Sequence, residues 1–222
     1  MSEMFDTIAA KYDFLNDLIS FGMHKSVKRK AIKRVCLQKN DKVLDLCTGT
    51  ADIAILISEF FDNEINVTAV DFSENMLKIA EKKAKNHKNI CFIQADALNL
   101  PFEDNSFDAV FISFGLRNLQ DLDKGIVEMK RAVKNGGFVV NLDTGKPQGI
   151  WGNLFKFYFF NLVPLIGKFF CGNFSAYKYL PESTKKFPSP EKLVEIFKEA
   201  GFKEVKNYNF IFGAIAQQVA KK

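Results

Sequence analysis

Two carboxylates separated by a glycine turn carry the first chemical signal in the chain. The run Lys42-Val-Leu-Asp-Leu-Cys-Thr-Gly-Thr-Ala-Asp52 brings an apolar stretch to an end at Asp45, turns at Gly49 and enters the apolar segment 53–57, which reads as strand, tight loop and helix. A turn of that kind makes a ligand crevice. What the loop lacks narrows the ligand. A dinucleotide loop needs three glycines, G-x-G-x-x-G, for its backbone to close on a pyrophosphate, and a phosphate loop ends in Gly-Lys-Ser/Thr. Here Gly49 is alone, with Thr48 and Ala51 where further glycines would stand, and no lysine follows. The loop suits a nucleoside without phosphates, whose amino-acid end can be held by Asp45 and by the hydroxyl and amides around Thr50. About twenty residues on, Val67-Thr-Ala-Val-Asp71 ends a second apolar strand in a carboxylate. Asp71 is placed to accept two ribose hydroxyls.

Ala109-Val-Phe-Ile-Ser113 is apolar on both faces, as a central parallel strand should be. Residues just past the carboxyl ends of parallel strands line the crevice, so Ser113-Phe-Gly-Leu-Arg-Asn118 should face the ligands. A surface position is the ordinary explanation of an arginine, but Arg117 sits at a strand end between apolar residues, which favours a functional role. Ala95-Asp-Ala97 follows strand 90–94; taken alone, Asp96 would be an exposed turn residue. Phe5, Ile8 and Tyr12 recur at helical spacing ahead of the first strand, in a segment free to cover the crevice. Tyr12 and His24 read equally as packed or capping residues and as residues of the site.

The elements that must position these groups follow from periodicity. Helices are predicted over 25–37, over 75–85 with Ser73 as N-cap, over 122–133 closed by a left-handed glycine in Asn135-Gly-Gly137, and over 190–200. A strand is predicted over 138–142, and segments 203–209 and 211–220 form a terminal antiparallel pair. Segment 150–174 is crowded with aromatic and aliphatic residues but is interrupted by Lys156, Pro164, Gly167 and Lys168, which speaks against a membrane span. It reads as two short inserted helices, serving as an apolar lid, as a surface for a long apolar tail, or as both. The chain's 222 residues, 47% hydrophobic and 26% charged, suit one buried α/β domain, doubly wound. A net charge of +5 would favour nucleic acid or acidic lipid, or merely reflects lysine-rich solvated helix faces. Nucleic acid is disfavoured, because the aromatics are not interleaved with basic residues. Four cysteines without C-x-x-C pairing and two histidines predict no structural metal site and a reducing cytoplasm. The opening residues show no basic segment followed by an apolar one, so no secretory signal is expected.

At this point the chain resembles a known family. The loop Asp45 to Asp52 and Asp71 resemble the S-adenosylmethionine-dependent methyltransferases broadly. Tyr12-Asp13 with Asn16, Ser20 and His24, the hexapeptide Ser113 to Asn118, and Tyr177-Lys-Tyr-Leu-Pro-Glu-Ser183 resemble those that C-methylate the ring in menaquinone and ubiquinone biosynthesis. The resemblance implies a class I methyltransferase fold: a mostly parallel seven-stranded sheet with an antiparallel C-terminal hairpin, a helical lid at 1–37 and an inserted segment at 148–188. It implies S-adenosyl-L-methionine as cofactor, held by Asp45, Gly49, Thr50, Asp71, Asp96 with the amide of Ala97, and Ser113. It implies an acceptor site at Tyr12, Asn16 and Tyr177. Arg117 would stabilise a phenolate, Asn118 would orient its hydroxyl, and His24 or Asp13 would take the proton. The acceptor is a polyprenylated quinol, demethylmenaquinol or the 2-methoxy-6-polyprenyl-benzoquinol of ubiquinone synthesis; another small hydrophobic ring is the alternative. Peripheral contact with the inner face of the cell membrane and a homodimer are compatible with it. Competing classes are an RNA-binding module and a cofactor-binding protein without activity. The chain departs from the family at Leu15 and Val27. It also departs at Asp143 and Gly145, where the family has glutamate and serine, so no hydroxyl role carries over to Gly145.

Overall fold

The computed structural model describes residues 12–163, 165 and 181–222. Helices α1 (Tyr12–Ser20) and α2 (Met23–Ile32) precede the first strand. There follow β1 (Lys42–Leu46), α3 (Asp52–Phe60), β2 (Asn66–Asp71), α4 (Glu74–Lys83), β3 (Ile90–Gln94), β4 (Phe107–Ser113), α5 (Leu122–Ala132), β5 (Val133–Thr144), α6 (Gly149–Phe157), α7 (Pro190–Glu199), β6 (Glu204–Phe210) and β7 (Ile215–Lys221). The seven strands form one sheet in the order β3-β2-β1-β4-β5-β7-β6. β1 to β5 run parallel, while β7 is antiparallel to both β5 and β6. This is the doubly wound, mostly parallel sheet with an antiparallel terminal pair that the sequence predicts.

Alternation along the central strands builds a core on each face of the sheet. Leu44, Leu46, Val110 and Ile112 pack with Ile126 and Met129 of α5 and with Leu193 and Phe197 of α7. Val43, Ala109 and Phe111 pack with Ile53 and Ile57 of α3 and Ile32 of α2 on the other. Each of these fully buried large side chains contributes roughly 1.5–3 kcal/mol, which fixes the strand ends that carry the polar residues.

Ser73 caps α4 as expected, its Oγ accepting from the Met76 amide at 3.1 Å. Three boundaries differ from the sequence reading. α2 starts at Met23 and stops at Ile32, because the Arg34 and Val35 amides bond three residues back and tighten the chain into turns. α5 ends at Ala132 rather than at the glycines: β-branched Val133 is already extended and pairs with Phe107. Gly136, with φ +83°, and Gly137 then form an irregularity inside β5, and a Cβ on Gly137 would press to 2.6 Å from the Asp108 carbonyl oxygen. The last strand begins at Ile215, since residues 211–213 turn through left-handed backbone, with φ of 49°, 53° and 90°. Of the inserted segment, α6 runs on into a π-helical turn, Tyr158–Leu162. Among the described residues no helix is long and apolar enough to cross a membrane.

Candidate active site

Residues just beyond the parallel strand ends wall two cavities. The smaller, about 340 Å³, is lined by Asp71, Ser73, Asp96, Ala97 and Asn118 among others. The larger, about 500 Å³, takes Asn16, His24, Lys28, Asp45, Thr50, Asp52, Arg117 and Thr144 together with a set of aromatic rings. Cys47, Gly49, Ser113 and Phe114 line both, so the two meet there.

The loop after β1 is held by its own polar groups. Cys47, Gly49 and Ala51 all adopt left-handed backbone, with φ of 52°, 57° and 66°, so the chain winds tightly although only one of the three is glycine. Asp45 Oδ2 accepts from Thr48 Oγ1 at 2.6 Å and from the Ala54 amide at 3.2 Å. Burial pushes the Asp45 carboxyl up to about 7, against the pull of those bonds and of Lys28. Asp71 reaches back to the loop: its Oδ2 accepts from the Gly49 amide at 2.8 Å and its Oδ1 from Ser73 at 2.9 Å. Asp96 Oδ1 accepts from the Leu98 amide at 2.9 Å, and Cys47 stays a thiol, burial and nearby carboxylates raising its pKa.

A charge cluster ties α1 and α2 to this loop. Thr50 Oγ1 donates to Asp13 Oδ1 at 2.6 Å and Lys83 Nζ to Asp13 Oδ2 at 2.7 Å. Lys28 Nζ meets Asp52 Oδ2 at 2.6 Å, and Lys83 also pairs with Asp52. Burial opposes ionisation of Asp52, but Lys28 and Lys83 more than offset it and hold the carboxyl well below the usual range. One face of α2 delivers both His24 and Lys28, four residues apart and buried. His24 Nε2 lies 2.8 Å from Asp17 Oδ1, while Lys25 holds Asp17 Oδ2 at 2.7 Å. Burial depresses the His24 pKa below 6.5, the bond to Asp17 working the other way.

Arg117 is not a lone cation. Its Nη1 lies 2.6 Å from Asp143 Oδ1 and its amide 3.2 Å from Oδ2, in a buried pair. The parallel register of β4 and β5, Ser113 beside Leu142, brings the two together. Arg117 Nε, Ser113 Oγ and Thr144 Oγ1 are buried with no hydrogen-bond partner among the described residues, an arrangement that suits a polar ligand at the junction. Asn118 belongs to the other side: it lines the smaller cavity, and its Nδ2 donates to the Phe114 carbonyl at 3.1 Å. A Cβ at Gly145 would run into the Gly213 carbonyl, which accounts for glycine there. Tyr12 begins α1 but its side chain lies outside the described residues, as does all of Tyr177.

Lys28, Lys83 and Asp17 were not singled out by sequence reasoning, and Asp52 was read only as the end of the signature loop. The i,i+4 pairing of His24 with Lys28 was a usable signal, masked by the surrounding basic run. Lys83 lies in a lysine-rich helix whose other lysines are solvated.

A parallel sheet in this order with β7 reversed, and a polar cavity joined to an apolar one at the strand ends, defines a class I S-adenosylmethionine-dependent methyltransferase. Solved structures share the fold. A SAM-dependent methyltransferase from Thermotoga maritima superposes with a TM-score of 0.71 at 21% identity over 100% of both chains. Phosphoethanolamine N-methyltransferase 2 of Haemonchus contortus, in complex with S-adenosyl-L-methionine, gives 0.64 at 26% identity over 83% of this chain and 38% of that one. The chain belongs to the ubiE/COQ5 methyltransferase family, whose sequence pattern matches residues 1–222. It is 41% identical to the demethylmenaquinone methyltransferase of Staphylococcus saprophyticus, over 99% of this chain and 95% of the relative. The enzyme of the same name from Alkalihalophilus pseudofirmus is 43% identical over 91% and 87%.

Proposed function

We propose that the chain transfers a methyl group from S-adenosylmethionine to a ring carbon of a polyprenylated quinol, demethylmenaquinol being the acceptor that the names of its relatives indicate. The observation that carries the reading is the meeting of a carboxylate-lined cavity and a larger, aromatic one at Cys47, Gly49, Ser113 and Phe114. Asp71 grips the ribose, and Asp96 with the Ala97 amide reads the adenine. Asp45, Gly49 and Thr50 take the methionine end, and Ser113 contributes its unpartnered hydroxyl at the junction. When bound, the cofactor supplies an electrophilic methyl on a sulfonium.

The chain's own task is to align the acceptor carbon, exclude water and remove the hydroxyl proton that makes that carbon nucleophilic. Because a carboxylate only accepts, His24 donates Nε2–H to Asp17 and keeps Nδ1 as its basic nitrogen. His24 is therefore a better proton acceptor than Asp13, whose oxygens are taken by Thr50 and Lys83. Arg117, fixed by Asp143, lines the acceptor cavity and stabilises the phenolate. Asn118 acts on the nucleoside side. Tyr12, Asn16 and Tyr177 complete the acceptor site, and segments 1–37 and 148–188 cover it within one domain. Since the acceptor's tail resides in a bilayer, the enzyme works at the inner face of the membrane.

The test is transfer of labelled methyl to reduced demethylmenaquinol, with the corresponding benzoquinol in parallel. Product from the naphthoquinol is expected. Cofactor binding without product from either quinol would end the reading.

A further inference from the structure

The sequence contains three Phe-Gly dipeptides, at 21–22, 114–115 and 212–213. In each, the phenylalanine adopts left-handed backbone, with φ of 50°, 56° and 53°, and each lines the larger cavity. That conformation costs an L-residue about 1–2 kcal/mol, and glycine or asparagine would make the same turns more cheaply. Phe114 recovers the cost by packing against the core cluster of Val27, Leu142 and Ile215. Phe21 and Phe212 do not recover it, being 74% and 67% exposed. Neither local backbone preference nor burial explains an aromatic residue at those two turns.

They are part of a larger rim. Trp151 lies flat on Phe212, ring centres 4.2 Å apart, and Phe21 meets Tyr158 at 6.0 Å. Tyr158 Oη donates to the Ile19 carbonyl at 2.8 Å. The α1–α2 turn, α6 and the β6–β7 turn thus form one continuous border around the mouth of the cavity. Along α6, Ile150, Leu154 and Phe157 follow at intervals of four and three, all exposed, while Phe155 turns into the cavity and Gly152 is buried. This helix shows an apolar stripe to the outside as well as to the core, and contiguous exposed apolar surface marks a contact site.

Charge selects the partner. No aspartate or glutamate occurs at 18–40, 144–163 or 205–222, the described segments that make and flank the rim. Lys146 and Lys156 on those segments are exposed, as is Lys25, which pairs with Asp17 of α1. Aromatic rings bordered by lysines in excess over carboxylates complement an interface of acyl chains and anionic headgroups.

We propose that Phe21, Ile150, Trp151, Leu154, Phe157 and Phe212 form a membrane-docking surface that seats the mouth of the larger cavity on an anionic bilayer. The acceptor reading explains why a mouth should open there, and the proposal rests on it to that extent; docking itself requires no methyl transfer.

The full chain is sedimented with vesicles of phosphatidylcholine containing phosphatidylglycerol, and with phosphatidylcholine alone. Binding to the anionic vesicles is expected, weakening as salt rises. Ile150 and Phe157 do not line either cavity, so Ile150→Glu/Phe157→Glu should lose binding at least about tenfold while still methylating a tail-free, soluble quinol. Phe212→Asn should melt no lower than the parent and bind vesicles less. Wild-type protein that ignores anionic vesicles, or a double variant that binds them as well as wild type, overturns the proposal. So does a wild-type dimer that the double variant dissociates and vesicles do not recruit, which would give the rim to a second copy. Vesicle binding with no quinol methylated would instead end the acceptor reading and leave docking intact.

Discussion

Nε2 of His24 lies against the Asp17 carboxylate and its ring is buried in the wall of the larger cavity, so its protonation state is set by two opposed effects that mutation can separate. Burial lowers the pKa and Asp17 raises it, with burial the larger. A base of this kind gives a rate that falls as pH drops through the His24 pKa, below 6.5. Asp17→Asn removes the raising partner, so the acid limb of kcat for methyl transfer should move to lower pH with cofactor affinity unchanged. His24→Gln should lose the limb and about 10²-fold or more of the rate. A limb that neither substitution moves would assign the proton to another group. In the proposed cofactor site, Asp71 is pre-aimed by two backbone amides, and its hydrogen bonds as a charged acceptor are worth about 1.5–3 kcal/mol each. Asp71→Ala should therefore weaken cofactor binding by about a hundredfold in calorimetry. Unchanged affinity would place the ribose elsewhere.

Elements explain why some of this was legible in the chain and some was not. A parallel strand that ends in a carboxylate is a local pattern, so Asp45, Asp71 and the Ser113 hexapeptide could be placed from alternation and spacing alone. Ser73 was equally local, an N-cap one residue before its helix. The pairing of Arg117 with Asp143 depends on β5 lying beside β4 with Ser113 opposite Leu142, a register that no local pattern carries. The same holds for Lys83 and Asp13, 70 residues apart: one sits in a helix that looks solvated, the other in a helix that looks like a cover. The glycines at 136 and 137 resemble a helix stop in sequence because the helix ends nearby in any case, at a β-branched residue. The element-level contacts have measurable consequences. Arg117→Ala should cost about 3–5 kcal/mol in urea denaturation, because Asp143 is left buried and unpaired. Arg117→Ala/Asp143→Ala should recover part of that loss. If the single and double variants are equally unstable, the pair is not the source of the cost. Asp13→Ala cuts α1 from both Thr50 and Lys83, and should raise amide hydrogen exchange across 12–20 with little change in the sheet.

At the scale of the molecule, the loop carboxylates make stability a function of pH with a sign that can be worked out. Asp45 ionises at about 7 in the folded chain against 3.8 for an ordinary aspartate, so between those values the folded state binds more protons than the unfolded one. Stability must then decline as pH rises through that window, by at most about 1.4 kcal/mol per pH unit. Asp52 acts in the opposite sense: its contribution is present above 3.8 and is lost as pH falls below it. The fold should therefore be most stable in weak acid. Asp45→Asn removes the first contribution only, so in urea denaturation its curve should lie above wild type by neutrality and converge with it near pH 4. A constant offset between the two at pH 5 and pH 7.5 would show that Asp45 is not the titrating group. The same proton couples to the proposed chemistry. An ammonium at the methionine end stabilises an ionised Asp45, so cofactor binding below pH 7 should release a proton, read as a dependence of the calorimetric heat on the ionisation heat of the buffer. Asp45→Asn should abolish that dependence, and a wild-type heat that is the same in every buffer would separate the carboxyl from the methionine end.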